Sequence, residues 1–231
     1  MSTAQVLAVL PPLWLTLKVA TVGTALSLVV GVTLAALLTH NRVPGRDYLD
    51  ALFTLPLVLP PTVLGYYLIV VVGKNGWLGR WLFDTFGISL IFTWQGAALA
   101  AALVALPLIF KSARAAFSEV DRNLLKAART LGATEMRVFF RVTFPLAWRG
   151  VLAGVMLAFA RSLGEFGATL MVAGNLPGKT QTLSLAIYEA VQAGNDGWAA
   201  ALVLLTSLLC ATLLIGGAKA LRTNYLKEME R

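Results

Sequence analysis

Five long apolar stretches set the limits on what this chain can fold into. A bilayer core about 30 Å thick takes roughly 20 apolar residues in helical form. Stretches near that length run over residues 13–38, 52–72, 96–117, 151–172 and 198–217. Only 13% of the residues are charged and 58% are hydrophobic, with a mean hydropathy of +0.77. A water-soluble globule carries about 25% charged residues, so much of this surface must face lipid. The expected fold is an all-α integral membrane protein with five transmembrane helices. The apolar segment 83–94 is too short to span alone and contains Gly87, so it reads as interfacial. A sixth span hidden there is the alternative topology.

The net charge of +8 is placed as expected for anchoring against anionic headgroups, not for holding nucleic acid, because the cations lie between the apolar stretches. Arg42 and Arg46, then Lys111, Arg114, Arg122, Lys126, Arg129, Arg137, Arg141 and Arg149, then Lys219, Arg222, Lys227 and Arg231 all fall on one side. The other side has Lys74, Arg80 and Lys179. The excess of cations on one side predicts an N-terminus outside and a short cytoplasmic tail over 218–231. That arrangement needs an odd number of spans. Lys18 is expected to snorkel to the headgroups, His40 to be solvated at the inner edge, and Trp77, Trp81, Trp94 and Trp198 to form an outer aromatic belt. Cys210 is the single cysteine, which leaves no intrachain disulfide and no Cys-based metal site. The first stretch is too long for a signal-peptide core and lacks a basic region before it, so it is expected to persist in the mature protein. No G-x-x-x-x-G-K-[ST] loop occurs, so ATP is not bound here by that device.

In the second stretch, Pro56, Pro60 and Pro61 fall within six residues, each removing a backbone donor. Broken backbone at membrane depth is tolerated where it is buried in protein or lines a cavity. The residues therefore fit either a proline-kinked packing helix or a broken segment along a substrate path.

The longest polar segment runs from Lys111 to Arg149. Leu124, Leu125, Ala128 and Leu131 recur at helical spacing over 121–131. Gly132 then suits the left-handed residue just past a helix end, and Thr134 suits the cap of a second helix. That second helix carries Met136, Phe139 and Phe140, with Pro145 ending it. Pattern alone allows an amphipathic hairpin on the headgroups or an elbow that contacts another protein.

Lys126-Ala127-Ala128, Gly132 four positions on, and Val142-Thr143-Phe144-Pro145 after nine more residues resemble the E-A-A-x3-G-x9-I-x-L-P signature of type I, binding-protein-dependent ABC importer permeases. Lys126 stands where the signature has glutamate, a charge reversal. The resemblance implies that Lys126, Ala127, Ala128, Gly132 and Pro145 belong to a loop whose coupling helices sit in a groove of a separate ATPase. Closure of the ATPase dimer would then drive alternating access. On this view the chain is a transport subunit and not an enzyme. It binds no cofactor or metal itself, and ATP with Mg is consumed by the partner.

The segment Leu55 to Tyr66 is similar to the second span of molybdate permeases, and so is Phe159-Ala160-Arg161-Ser162-Leu163-Gly164-Glu165-Phe166-Gly167-Ala168-Thr169. The Gly-Glu-Phe-Gly core is shared with sulfate and thiosulfate permeases. The resemblance implies a tetrahedral oxyanion as substrate, molybdate or tungstate, with sulfate or thiosulfate as the alternative. It also implies a homodimer, two cytoplasmic ATPase subunits, an extracytoplasmic binding protein and a bacterial inner-membrane location.

Arg161 and Glu165 are four residues apart and read as sharing one helix face. They form either a packing pair or a transient positive field for a dianion. Thr54, Pro60, Pro61, Thr62, Ser162 and Thr169 complete the candidate path. Its hydroxyls would bind an anion weakly enough to release it, or bond their own helix backbone. A proton-coupled transporter would need ionisable residues in several spans, and only Arg161 and Glu165 lie deep. A scaffold subunit would not need the alanine-glycine-proline loop.

Overall fold

The computed structural model describes residues 3–40 and 44–229, with side chains over 7–39 and 44–217 and at Lys219. The expectations for His40, Arg42, Arg222, Lys227 and Arg231 lie outside the described side chains. In chain order the helices are α1 (Thr3–His40), α2 (Arg46–Val58), α3 (Pro61–Val72), α4 (Trp77–Phe86), α5 (Trp94–Ser118), α6 (Arg122–Thr130), α7 (Glu135–Val138), α8 (Phe144–Leu163), α9 (Gly167–Ala173), α10 (Leu183–Gln192) and α11 (Asp196–Met229). A π-helical turn, Phe139–Thr143, joins α7 to α8. No strand occurs among the described residues.

Helix α5 is the axis of the bundle because its sequence is small on nearly every side. Ala97, Ala100, Ala101, Ala105 and Ala113 are fully buried. Lipid gives helices no hydrophobic reason to associate, so close backbone approach and hydrogen bonds must hold them together. Helix α1 supplies both through Gly23, Ser27 and Gly31, spaced one turn apart. A Cβ on Gly23 would lie 3.0 Å from that of Ala101, and one on Gly31 would lie 3.1 Å from Ile109 Cγ2. Between them the Ser27 hydroxyl reaches the Ala102 carbonyl at 2.6 Å. At the far end of α1, Thr16 accepts the Leu183 N–H at 2.8 Å, which ties α10 to the bundle.

Four helical runs are long and apolar enough to cross a bilayer: Leu7–Thr39, Trp94–Ser118, Glu135–Leu163 and Asp196–Gly217. Helices α2 and α3 are apolar enough for a fifth crossing only as a pair bent by 114°, the geometry of a broken span or a re-entrant loop. The residues between them explain the bend. Leu59 and Pro60 both precede prolines, which disfavours helical backbone, and they sit at ψ 141 and ψ 136. Helix α4 has 10 residues, about 15 Å at 1.5 Å per residue, so no sixth span forms there. The Lys18 Nζ lies 3.6 Å from the Trp94 ring centroid, a cation–π contact.

Two sequence expectations are corrected. The stretch 151–172 is not one helix, because α8 ends at Leu163 and α9 begins at Gly167. The span instead begins earlier, in the run from Glu135. Pro145 does not end the second loop helix. The chain widens into the π turn, where the Phe144 N–H bonds the Phe139 carbonyl five residues back. This leaves Pro145 in the first turn of α8, directly after the wider winding that accommodates its missing N–H.

Candidate functional site

The elbow at the end of α5 is closed by local chemistry. Asp121 caps α6 by accepting the Asn123 N–H at 2.8 Å. Past its C-terminus Gly132 adopts φ +81, a conformation that disfavours a side chain. Its N–H bonds Arg129 O at 2.9 Å while Ala133 N–H bonds Ala128 O at 3.1 Å, the paired closure of a Schellman motif. Thr134 then caps α7 through the Arg137 N–H. Arg129 bridges the two arms, donating from Nε to Glu135 Oε1 at 2.7 Å and from Nη2 to Oε2 at 3.1 Å. That hydrogen bonding holds the Arg129 guanidinium above its usual range.

Of the two phenylalanines in the second arm, one anchors it. The Phe139 ring meets Phe117 of α5 edge-on, with centroids 5.5 Å apart. Phe140 is 61% exposed and lines a groove of about 580 Å³ against α1 with Met136 and Phe144. From Glu135 the helix continues through the π turn to Leu163, 29 residues without a stop. The elbow and the region of Arg161 are thus two ends of one rod. Lys126 and Ala127 are exposed on α6, and Ala128 is half-buried.

At the other end of that rod the two chain breaks meet. Helices α3 and α9 start side by side: a Cβ on Gly167 would lie 2.9 Å from that of Pro61, and one on Gly65 only 2.6 Å from that of Met171. Glycine at both positions is what lets the two backbones touch. Glu165 lies between α8 and α9, with 1% of its side chain exposed. Its Oε1 accepts the Ala168 N–H at 2.9 Å and its Oε2 takes Arg161 Nη1 at 2.9 Å. The pair therefore spans a helix end, where the spacing predicts a shared helix face. Arg161 keeps 37% of its side chain exposed, so donors remain for something else.

The remaining candidates divide. Ser162 and Thr169 are buried with hydroxyls that meet no partner in the protein. Pro60 and Thr62 are exposed and Pro61 half-buried at the head of α3. The Thr54 hydroxyl is used within α2, on the carbonyl of Asp50. Sequence reasoning missed Asp50 itself. It binds Lys111 Nζ at 2.6 Å and also pairs with Arg114, holding α2 to α5 beside the Phe53–Phe110 edge contact. The available signal was an acidic residue, with Asp47, beside Arg42 and Arg46.

A family model described as "Binding-protein-dependent transport system inner membrane component" matches residues 27–223. The chain belongs to that family. This permease is 46% identical over 203 residues to the molybdenum transport system permease protein ModB of Escherichia coli (strain K12), covering 87% of this chain and 89% of that one. It is 38% identical over 200 residues to the sulfate transport system permease protein CysT of the same organism, covering 87% and 71%. Among solved structures, the permease resembles a chain of the inward-facing MetNI methionine ABC transporter. The TM-score is 0.76 at 20% identity, over 96% of this chain and 99% of that one. A bacterial alginate importer chain matches with a TM-score of 0.73 at 14% identity, over 96% and 84%. The permease is an all-α, multi-pass membrane transport subunit of an ABC importer, and not itself an enzyme.

Proposed function

We propose that this permease carries molybdate, or the closely similar tungstate, across the bacterial inner membrane by alternating access. It works as a homodimer, with two cytoplasmic ATPase subunits that consume ATP and Mg and an extracytoplasmic binding protein that delivers the anion. The observation that carries the substrate is the 46% identity to a molybdenum permease over 87% of the chain, against 38% for a sulfate permease. The N-terminus lies outside and residues 218–231 inside, as the distribution of Lys and Arg favours.

The coupling elbow centres on Lys126, Ala127, Ala128 and Gly132, with Pro145 in the first turn of α8. Its caps and the Arg129–Glu135 bridge make it stiff. The run from Glu135 to Leu163, about 43 Å at 1.5 Å per residue, carries its displacement to Arg161. There Glu165 is committed to Ala168 and Arg161, which leaves the outer donors of the guanidinium for a passing dianion. Release is quick because the paired carboxylate offsets the charge of the cation, and a path that bound tightly would stall. Ser162 and Thr169 offer neutral hydroxyls behind it, and Thr62, Pro60 and Pro61 head the facing helix. Thr54 sits farther along the path on α2.

Reconstitution with the ATPase and the binding protein tests the reading. Molybdate-dependent uptake and ATP hydrolysis, with little response to sulfate, is the expected result. Equal stimulation by both anions would sink the narrow substrate claim and favour a general oxyanion permease.

A further inference from the structure

Helix α4 leaves its aromatic residues uncovered. Trp77, Trp81, Phe83 and Phe86 are 74%, 54%, 49% and 60% exposed. Trp81 meets the edge of Phe86 with centroids 5.6 Å apart, and Lys74 Nζ lies 5.9 Å from the Phe83 ring centroid. What covers the rest of these rings depends on the height at which α4 sits.

Helix α5 supplies that height. Its Trp94 end is marked by the Lys18 contact and its other end by the ionic tie of Lys111 and Arg114 to Asp50. No charged residue falls between Trp94 and Lys111. At 1.5 Å per residue, Lys111 lies about 26 Å and Arg114 about 30 Å from Trp94. That is the thickness of a hydrocarbon core, so one edge of the core lies near Trp94.

Helix α3 climbs to the same edge. Gly65 touches Met171, and the next residue, Val172, touches Gly96 in the first turn of α5. Seven further residues carry α3 from Gly65 to Val72, within about one turn of the level of Trp94. There α4 is seated on it. A Cβ on Gly79 would strike the carbonyl oxygens of Val72 and Gly73, and one on Gly76 those of Val70 and Val71. Past the other end of α4, the Leu90 carbonyl lies against Gly96, only four residues on from Phe86. Both ends of α4 are therefore tied near the Trp94 edge, where the headgroup layer is about 5–8 Å deep.

The two faces of α4 suit that layer. At about 100° per residue, Phe83 and Phe86 stand within about 40° of Gly79, the residue seated on α3. They overhang the end of α3 on the side from which α3 arrives, which is the hydrocarbon. Trp77 and Trp81 stand on the opposite face beside Arg80 and Asp84, a mixture of ring and charge that membrane interfaces favour. A water-borne protein can reach the tryptophans but not the phenylalanines.

We propose that α4 is an interfacial float. Phe83 and Phe86 dip into the acyl boundary of the leaflet opposite the elbow, and Trp77 and Trp81 lie among its headgroups. Because the Gly76 and Gly79 contacts join α4 to α3 without slack, the lipid surface fixes where the end of α3 stands. Any consequence for transport rests on α3 heading the substrate path, whereas the lipid contact does not.

Spin labels test the placement. In a C210S background, Phe86→Cys and Trp77→Cys are labelled one at a time in phosphatidylcholine nanodiscs. Collisions with oxygen, which concentrates among acyl chains, are compared with collisions with a water-soluble nickel chelate. The oxygen-to-nickel ratio should be several times higher at 86 than at 77, and Gly79→Ala should bring the ratio at 86 down by unseating the helix. Equal, nickel-dominated ratios would place α4 in water and overturn the proposal. So would nickel protection at 86 that appears only when the binding protein is added, or spin–spin broadening at 86 between two copies of the chain. A ratio at 86 that Gly79→Ala leaves unchanged would remove the rigid join to α3. Failure of the path reading looks different: the label ratios hold, yet an F83S/F86S variant takes up anion at the unaltered rate.

Discussion

Arg161 sits in the last turn of α8 and Glu165 lies beyond its end, so their 2.9 Å ion pair bridges a gap in the helix. Because the same carboxylate also receives the Ala168 N–H, it fastens the cation to the start of the next helix.

Replacing Glu165 separates those two duties. Glu165→Gln keeps an oxygen for Ala168 but loses the charge, and should cut uptake while leaving the thermal midpoint nearly in place. Arg161→Ala strands a buried carboxylate and should cost on the order of 3 kcal/mol of stability. Thermal unfolding in detergent alongside uptake in proteoliposomes checks both. If the glutamine variant transports normally, the charge at 165 plays no part in transport.

Gly132 holds φ +81 and its N–H closes the end of α6. Gly132→Ala should cost about 1–2 kcal/mol locally and reduce coupling. Gly132→Pro, which can neither adopt that φ nor donate, should abolish substrate-stimulated ATP hydrolysis in an inserted protein. Hydrolysis and membrane insertion are measured on the same preparation.

The contact of Gly65 with Met171 has no room for a methyl group. Gly65→Ala should therefore destabilise by about 1–3 kcal/mol and slow transport by wedging α3 from α9. Met171→Gly, which removes the Cβ that the new methyl would meet, should restore part of the loss in the same chain. A double variant no better than Gly65→Ala would show that the strain lies elsewhere.

Asp50 is the ionic tie between α2 and α5. Asp50→Asn should raise amide hydrogen exchange across 46–58, since α2 has no buried residue to hold it otherwise. Unchanged exchange would mean that the Phe53 contact suffices.

The parts of this structure that could be read from sequence are those settled by neighbouring residues. Gly132 and Thr134 take the conformations their local chemistry favours, and Pro60 and Pro61 break the second crossing where they stand. The break after Leu163 was hidden because Gly164 to Phe166 contains no proline. What opens the chain there is a buried carboxylate capping the next helix. Four-residue spacing made Arg161 and Glu165 look like one helical face for the same reason. Pro145 misled in the opposite direction, since a π turn upstream absorbs the donor it lacks. Asp50 meets Lys111 and Arg114 across 61 and 64 positions, a pairing that only the packing of α2 on α5 creates.

The five-residue π turn between α7 and α8 also sets a phase. It holds one residue more than α-helical winding would use, and each residue advances an α-helix by about 100°. The elbow is therefore clocked by about 100°, a little over a quarter of a revolution, relative to the Arg161 end of the same rod. Deleting one residue within 139–143 would leave the rod intact and aim the elbow in the wrong direction. Torque from below would then reach the membrane through a shaft that is whole but mistimed.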